Sequence, residues 1–412
     1  MIRAAKPTVM DIRRVNRSTV LRRIYQDRLV SRQELSQLTG LSSATVTNVV
    51  AELLQDGIVI EAGTEESQGG RPRSILTINP RYGYFIGVEV GETLTRIELF
   101  DLTLRKLGAI TYVLALDESE PEQLVEYIHR GVKALLAESD IPRENVIGVG
   151  VGVGGLVKLT EPLSIYLPSW GWRNVPLGTL LERCLSMPIY VDNAPKAMVQ
   201  AEKLFGAGQG VEHLAVVLIG TGVGAGIIAH GSLYRGAINS AGEWGHTCIQ
   251  LDGRACRCGS HGCLEAYVGA PGIIERLREV EPHSPLLQSN DQHDSLTAII
   301  DAARREETTA TQVLKDTAHY LGAGIANLIN LFNPQLILLG GWAGLQLGAF
   351  ILPELHQFIE RYALKQLLPL TKIDLCQLGQ DAVAMGAATL ILEQFLTTTG
   401  RPDPSSQLRI PA

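Results

Sequence analysis

Two absences narrow the class of this 412-residue chain. No apolar run follows the basic N-terminus, which argues against a signal peptide. No hydrophobic stretch is long and clean enough to span a bilayer: the longest, 214–229, is broken by Thr221 and four glycines. The cytoplasm is the expected compartment. Cysteine is scarce, with six in the whole chain, and a reducing cytosol argues against disulfides. What is present fits a soluble globular protein, with 45% hydrophobic and 19% charged residues. The length exceeds what one core organises and points to two or three domains.

Charge is unevenly spread. The formal net charge is −7. Residues 1–80 carry 11 basic and 8 acidic side chains, and the first 32 alone hold nine basic against two acidic. A basic head on an acidic body points to a polyanionic partner for the head. A solvated, charged N-terminal helix explains the same numbers, so pattern has to decide.

A helix near Asn16–Tyr25 offers Val20, Leu21 and Ile24 as a packing face. Ser31-Arg-Gln-Glu34 reads as a capping box opening a second helix, closed by Gly40. Ser42 can cap a third, with Val46, Val49, Val50 and Leu53 as its apolar stripe. Two short helices joined by a glycine turn form the helix-turn-helix pattern. Ser42, Ser43, Thr45, Thr47 and Asn48 put small hydrogen-bonding groups at the start of the recognition helix. Ile58–Ile60 and Ser74–Ile78 then predict a two-stranded wing. Arg71 and Arg73 at its glycine-rich tip are placed to reach phosphates or a minor groove. Taken together these features predict DNA binding.

From Tyr84 the texture becomes α/β. Strands are expected at 85–90 and 95–100 around a Gly91 turn, and at 146–153. Helices are expected at 122–139, 314–332 and 382–395, with a buried strand at 335–339. Gly150 to Gly155 fits G-x-G-x-x-G, but no helix opening follows, so a dinucleotide fingerprint is rejected. Residues 214–219, a turn at 220–224 and 225–229 predict a hairpin whose turn either cradles a phosphate or is merely tight. The Pro- and Ser-containing tail after Thr399 is expected to be disordered.

The densest chemistry lies between Glu243 and Glu265. His246, Cys256, Cys258 and Cys263 fall within eighteen residues and supply the four N and S ligands of a tetrahedral zinc ion. Four protein ligands leave no open position, so the metal is expected to be structural. Glu243 and Glu265 bracket the cluster and can present carboxylates to a ligand or simply brace the loop.

Gly69-Gly70-Arg71-Pro72, Gly220-Thr-Gly-Val-Gly224, Ala241-Gly-Glu-Trp-Gly-His246 and Cys256-x-Cys258-Gly-x-x-Gly-Cys263-x-Glu265 together resemble the ROK family of repressors and sugar kinases. The resemblance implies an actin-like, hexokinase-like body of two α/β lobes with a sugar in the cleft, behind an N-terminal winged helix-turn-helix. The divisions it implies are a head at 1–80, a first lobe at 81–195 with 381–400, a second lobe at 196–380 with the zinc site, and a tail at 401–412. It also implies sugar contacts from Asn193, Glu243, His246 and Glu265.

Two kinase signatures depart from the family pattern. The phosphate loop reads Glu89-Val90-Gly91-Glu92-Thr93, with Glu92 where glycine lets the backbone approach phosphate. Counting back from Ala201-Glu202, Ala194 falls where the family's catalytic Asp stands, unless the register shifts and Asp192 takes that role. Loss of a general base typically costs about 10²–10⁴ in rate. The expected protein is a sugar-responsive repressor, a homodimer or homotetramer on an inverted-repeat operator, without membrane insertion. Two alternatives stay open: an ATP-dependent sugar kinase fused to a DNA-binding head, and a repressor controlled by a regulatory protein.

Overall fold

The computed structural model describes residues 8–65, 73–115, 119–158 and 164–400. The head is three helices and a small sheet. Its first helix runs Val9–Asp27, longer at both ends than the apolar spacing indicated. Thr8 and Asp11 form a capping box that starts it early, and Val20, Leu21 and Ile24 are buried. Ser31 and Glu34 cap Arg32–Thr39, and Gly40 ends that helix in a left-handed conformation (φ 69°). Ser42 caps Ser43–Gln55, which buries Val46, Val49, Val50 and Leu53. The wing strands Val59–Glu65 and Arg73–Ile78 pair antiparallel, and the two residues Val30–Ser31 add a third strand that sequence pattern did not disclose.

Two five-stranded sheets make the body. The first has the order 189–193, 146–153, 84–90, 94–101, 106–113. Its first two pairings are parallel and the last two antiparallel. Lys106–Val113 was not anticipated: it is an edge strand with alternating exposed residues, so its apolar signal is weak. The second sheet has the order 232–233, 223–229, 214–219, 336–340, 372–375. It repeats the plan, with antiparallel strands followed by two parallel pairings. Two α/β units of matched topology form the two-lobed fold that the motifs implied. A small sheet of 156–158, 164–167 and 172–175 lies beside the first.

Helix Ala382–Thr398 organises the molecule. It packs on strands 84–90 and 146–153, and the glycines of that second strand explain themselves there. A Cβ on Gly150 would lie 2.0 Å from Ala387 O, and one on Gly152 would lie 2.7 Å from the Val383 side chain. Two of the three glycines that imitate a dinucleotide fingerprint, Gly150 and Gly152, admit this helix, while Gly155 (φ 78°) turns the chain close to Tyr166 O. Helix Ala194–Phe205 crosses it at equal closeness, since a Cβ on Gly386 would meet Ala197 O at 1.9 Å. The far end of Ala382–Thr398 enters the core of the head. Ile391, Leu392, Phe395 and Leu396 join Val20, Leu21, Ile24 and Leu53 in one buried cluster. The expected helix at 314–332 begins earlier, at Thr308, because Ala310 and Val313 extend its buried face. Among the described residues, no helix is long and apolar enough to cross a membrane.

Candidate ligand cleft and metal loop

The two sheets face each other across a cleft of about 260 Å³. Drug-sized ligands occupy pockets of roughly 300–1,000 Å³, so this space suits one small molecule. The first lobe supplies 89–94, Gly155, Ser169, Trp170, Asn193 and Ala194; the second supplies 220–224, Glu243, His246, Arg257 and Glu265. All four residues expected to contact sugar therefore converge on one cavity. The Asn193 amide donates to Gly155 O at 2.9 Å, which fixes its orientation at the end of strand 189–193. Burial pushes the Glu243 carboxyl above its usual range, opposed by Lys196 and His246 nearby. Glu265 accepts the Val223 N–H at 2.9 Å, tying the metal loop to hairpin 214–229.

The metal-ligating atoms of His246, Cys256, Cys258 and Cys263 lie within 4.8 Å of one another. Cys258 Sγ is 3.8 Å from Cys263 Sγ, and Cys256 Sγ is 3.7 Å from His246 Nδ1. A tetrahedron with Zn–S bonds of about 2.3 Å has S···S edges of about 3.8 Å, so the spacing fits a metal of that size. Turning the chain so tightly requires glycine: a Cβ on Gly262 (φ 70°) would collide with Gln250 O at 1.8 Å. With Nδ1 facing the sulfurs, His246 Nε2 points to Glu243 Oε2 at 4.0 Å and toward the cleft. One ring nitrogen is thus available to a metal and the other to a ligand hydroxyl.

Ala194 lines the cleft at the first turn of its helix, where a side chain in the base position would project. Asp192 is fully buried and absent from the cleft wall. Its Oδ2 pairs with Arg235 at 2.6 Å, and its Oδ1 accepts from Asn239 at 3.0 Å and from the Asn193 N–H at 2.8 Å. These three contacts occupy both carboxylate oxygens.

Sequence reasoning missed Arg257, which sits between two candidate cysteine ligands, Cys256 and Cys258. Its Nη1 binds Glu92 at 2.7 Å across the cleft, while Nη2 donates to Thr221 O at 2.9 Å and Glu265 at 3.4 Å. The guanidinium answers the charge of Glu92, and the bridge itself spans the space between the two glycine turns. Trp342 and His293 also line the cleft, stacked at 5.3 Å between ring centroids, with the indole over Gly220. No motif in the sequence announced this aromatic pair.

On the head, Ser42, Ser43, Thr47 and Asn48 are exposed and Thr45 is half-buried. Ser42 Oγ accepts the Thr45 N–H as a cap, and the Thr47 hydroxyl donates to Ser43 O at 2.7 Å. Arg73 begins its wing strand exposed, and Arg71 lies outside the described residues. The basic charge of the head is largely used internally. Arg13 and Arg17 pair with Glu52, Arg22 with Glu393, Arg23 with Asp27 and Arg32 with Glu61. Charge count alone therefore overstated how much of it faces a partner.

The description "ROK family" matches residues 85–394. The chain belongs to the ROK family. A winged helix-turn-helix DNA-binding model matches residues 15–60. A putative xylose repressor of Caldicellulosiruptor is 29% identical over 93% of this chain and 97% of its own length. Among solved structures, a ROK family transcriptional regulator homologous to the Escherichia coli Mlc protein superposes with a TM-score of 0.79 at 27% identity, covering 94% of this chain and 98% of that one. A ROK family glucokinase from Streptomyces griseus, in complex with glucose and AMPPNP, gives a TM-score of 0.66 at 30% identity, covering 75% of this chain and 99% of that one.

Proposed function

We propose that this ROK protein is a sugar-responsive transcriptional repressor whose cleft is a receptor and not a kinase site. The observation that carries the reading is continuity. Helix Ala382–Thr398 starts on the cleft, with Ala382 and Val383 in its wall, and ends inside the hydrophobic core of the DNA-binding head. A ligand that closes the two lobes acts on the first turn of this helix and thereby on the head. Closure must favour one head geometry over another for the signal to pass. Two relatives that match more than nine-tenths of this chain are a putative xylose repressor and a xylose repressor by name, which supports the same reading.

Loss of phosphoryl transfer is part of the proposal. Ala194 offers no base, Asp192 is held by Arg235, and Arg257 bridges to Glu92 where phosphates would enter. Asn193, Glu243, His246 and Glu265 are the proposed sugar contacts. His246, Cys256, Cys258 and Cys263 would hold a structural Zn²⁺, which when bound would fix the loop that presents Glu243 and Glu265. The protein would act in the cytoplasm as a homodimer or homotetramer that places two recognition helices one DNA turn apart. Ser42, Ser43, Thr45, Thr47, Asn48, Arg71 and Arg73 are the proposed DNA-facing residues.

The likeness to glucokinase keeps the kinase reading in play, and one experiment separates the two. Operator binding is followed by fluorescence anisotropy across a panel of pentoses and hexoses, with and without ATP, beside a coupled assay for ADP release. The receptor reading expects one sugar to shift DNA affinity without ATP and no sugar-dependent ADP release. Steady ADP release that vanishes in Asp192→Ala would establish a kinase. DNA binding that responds to cell extract but to no sugar would point to a protein partner.

A further inference from the structure

The metal loop contains a thiol that its ligand set does not use. Cys248 lies two residues after His246, is exposed, and forms an antiparallel bridge with Cys263. The flanking bonds are Ile249 N–H to Gly262 O (2.8 Å) and Leu264 N–H to Thr247 O (3.0 Å). They bracket the two cysteines without joining them, so Cys248 and Cys263 are a non-hydrogen-bonded cross-strand pair. In such pairs the Cα atoms are about 4.5 Å apart and both side chains leave the same face. Disulfides span Cα separations of roughly 4.4–6.8 Å, so a pair of this kind lies within their reach once the Cys248 side chain turns from Gly262 to Cys263. Cys263 is buried, with its sulfur 3.8 Å from that of Cys258. One member of the pair thus meets solvent and the other belongs to the metal cluster.

We infer that Cys248 and Cys263 are a reversible oxidation site, with hydrogen peroxide as the oxidant and metal release as the outcome. The O–O bond of peroxide breaks: one oxygen joins the Cys248 sulfur as a sulfenic acid, and the other leaves as water. The Cys263 sulfur then attacks the Cys248 sulfur. The S–S bond forms, the S–O bond breaks, and hydroxide leaves and takes a proton from solvent. Two thiol sulfurs lose two electrons and peroxide gains them. A dithiol reverses the change by exchange. Cys263 in the disulfide no longer ligates, and three remaining ligands hold a metal far less firmly. Arg257, set between Cys256 and Cys258, then loses the scaffold that aims it at Glu92 and Glu265. Oxidation would in this way reach the cleft.

The inference rests on metal binding by His246, Cys256, Cys258 and Cys263, so the metal content of the purified full-length protein is measured first. The metal-loaded chain and its Cys248→Ser and Cys248→Ala variants are then treated with hydrogen peroxide. A chromogenic chelator follows metal release, and mass spectrometry of a non-reduced digest maps the linkage. The native chain should lose its metal with a peptide pair joined through Cys248 and Cys263, and dithiothreitol with added metal should restore it. Both variants should keep their metal at the same dose. Equal release from the variants, or a linkage confined to Cys256, Cys258 and Cys263, would overturn the pairing. A purified chain without metal would instead remove the metal reading. Diamide then tests the pair directly: a Cys248–Cys263 crosslink supports it, and its absence ends it.

Discussion

Arg17 tests whether one buried cation holds the helices of the head together and to the end of helix Ala382–Thr398. Its side chain is 5% exposed, with Nη2 at 2.5 Å from Asp56 and Nη1 at 3.3 Å from Glu52. Both acids belong to the recognition helix or its cap. Nε and Nη2 also reach Thr399 O, at 3.4 Å, where Ala382–Thr398 ends. Arg17→Met keeps the volume of the stem and removes the cation. Breaking a buried ion pair from one side costs about 3–5 kcal/mol. Here Glu52 and Asp56 are 26% and 34% exposed, and Arg13 also holds Glu52. Water and Arg13 offset part of the loss, which leaves about 2–3 kcal/mol, or roughly 30- to 160-fold in the opening of the head. Amide hydrogen exchange is the assay. Residues 43–55 and 390–399 should exchange faster by that factor, while strands 214–219 and 336–340 stay unchanged. Glu52→Gln with Asp56→Asn in the same chain should recover most of the loss, because the stranded charges are gone. Exchange within about twofold of the native chain, or a failed rescue, would show that Arg17 is not the clamp.

Ser31→Ala removes the hydroxyl half of a reciprocal cap, leaving the backbone N–H of residue 31 on the Glu34 carboxylate, and should lower stability by about 1 kcal/mol in thermal unfolding, with Ser31→Asp close to native. Arg73→Ala should flatten the slope of log K against log salt by about 0.9, or about threefold in affinity between roughly 50 and 200 mM; an unchanged slope would take that side chain out of the DNA interface. Glu98 is fully buried, and burial with Asp381 beside it pushes its carboxyl up to about 8, against the pull of Lys106 and Arg96. An acid raised on folding keeps its proton in the folded state longer than in the unfolded one. Its contribution is full below the ordinary carboxylate range and is lost as pH rises through about 8. The melting temperature should therefore fall between about pH 5 and 8.5, and Glu98→Gln should flatten that fall.

The legible parts of this chain share a physical cause. Caps and apolar stripes are local, so Ser31-Glu34, Gly40, Ser42 and the Val46–Leu53 face could be read from a few adjacent residues and appear as expected. The candidate metal set was legible because a tetrahedral ion demands particular atoms from a short loop, and the His246, Cys256, Cys258 and Cys263 atoms that could hold one meet within 4.8 Å. The edge strand Lys106–Val113 was not legible, since one weak face of alternating residues carries little signal. Arg13, Arg17 and Arg22 looked like a surface for a polyanion until their partners, tens or hundreds of residues away, were in view.

Spacing and residue chemistry alone pointed to a winged helix-turn-helix head, an α/β body and a loop with four candidate metal ligands, because the signals of each lie among near neighbours in the chain. Which carboxylate meets the cleft was settled only in three dimensions. Asp192 and Ala194 are two positions apart, yet the first turns inward to Arg235 and the second faces the cavity. The Arg257 bridge and the helix joining cleft to head are of the same kind. They exist because the folded chain brings together residues as distant as Val20 and Phe395, and no local rule of sequence encodes that meeting.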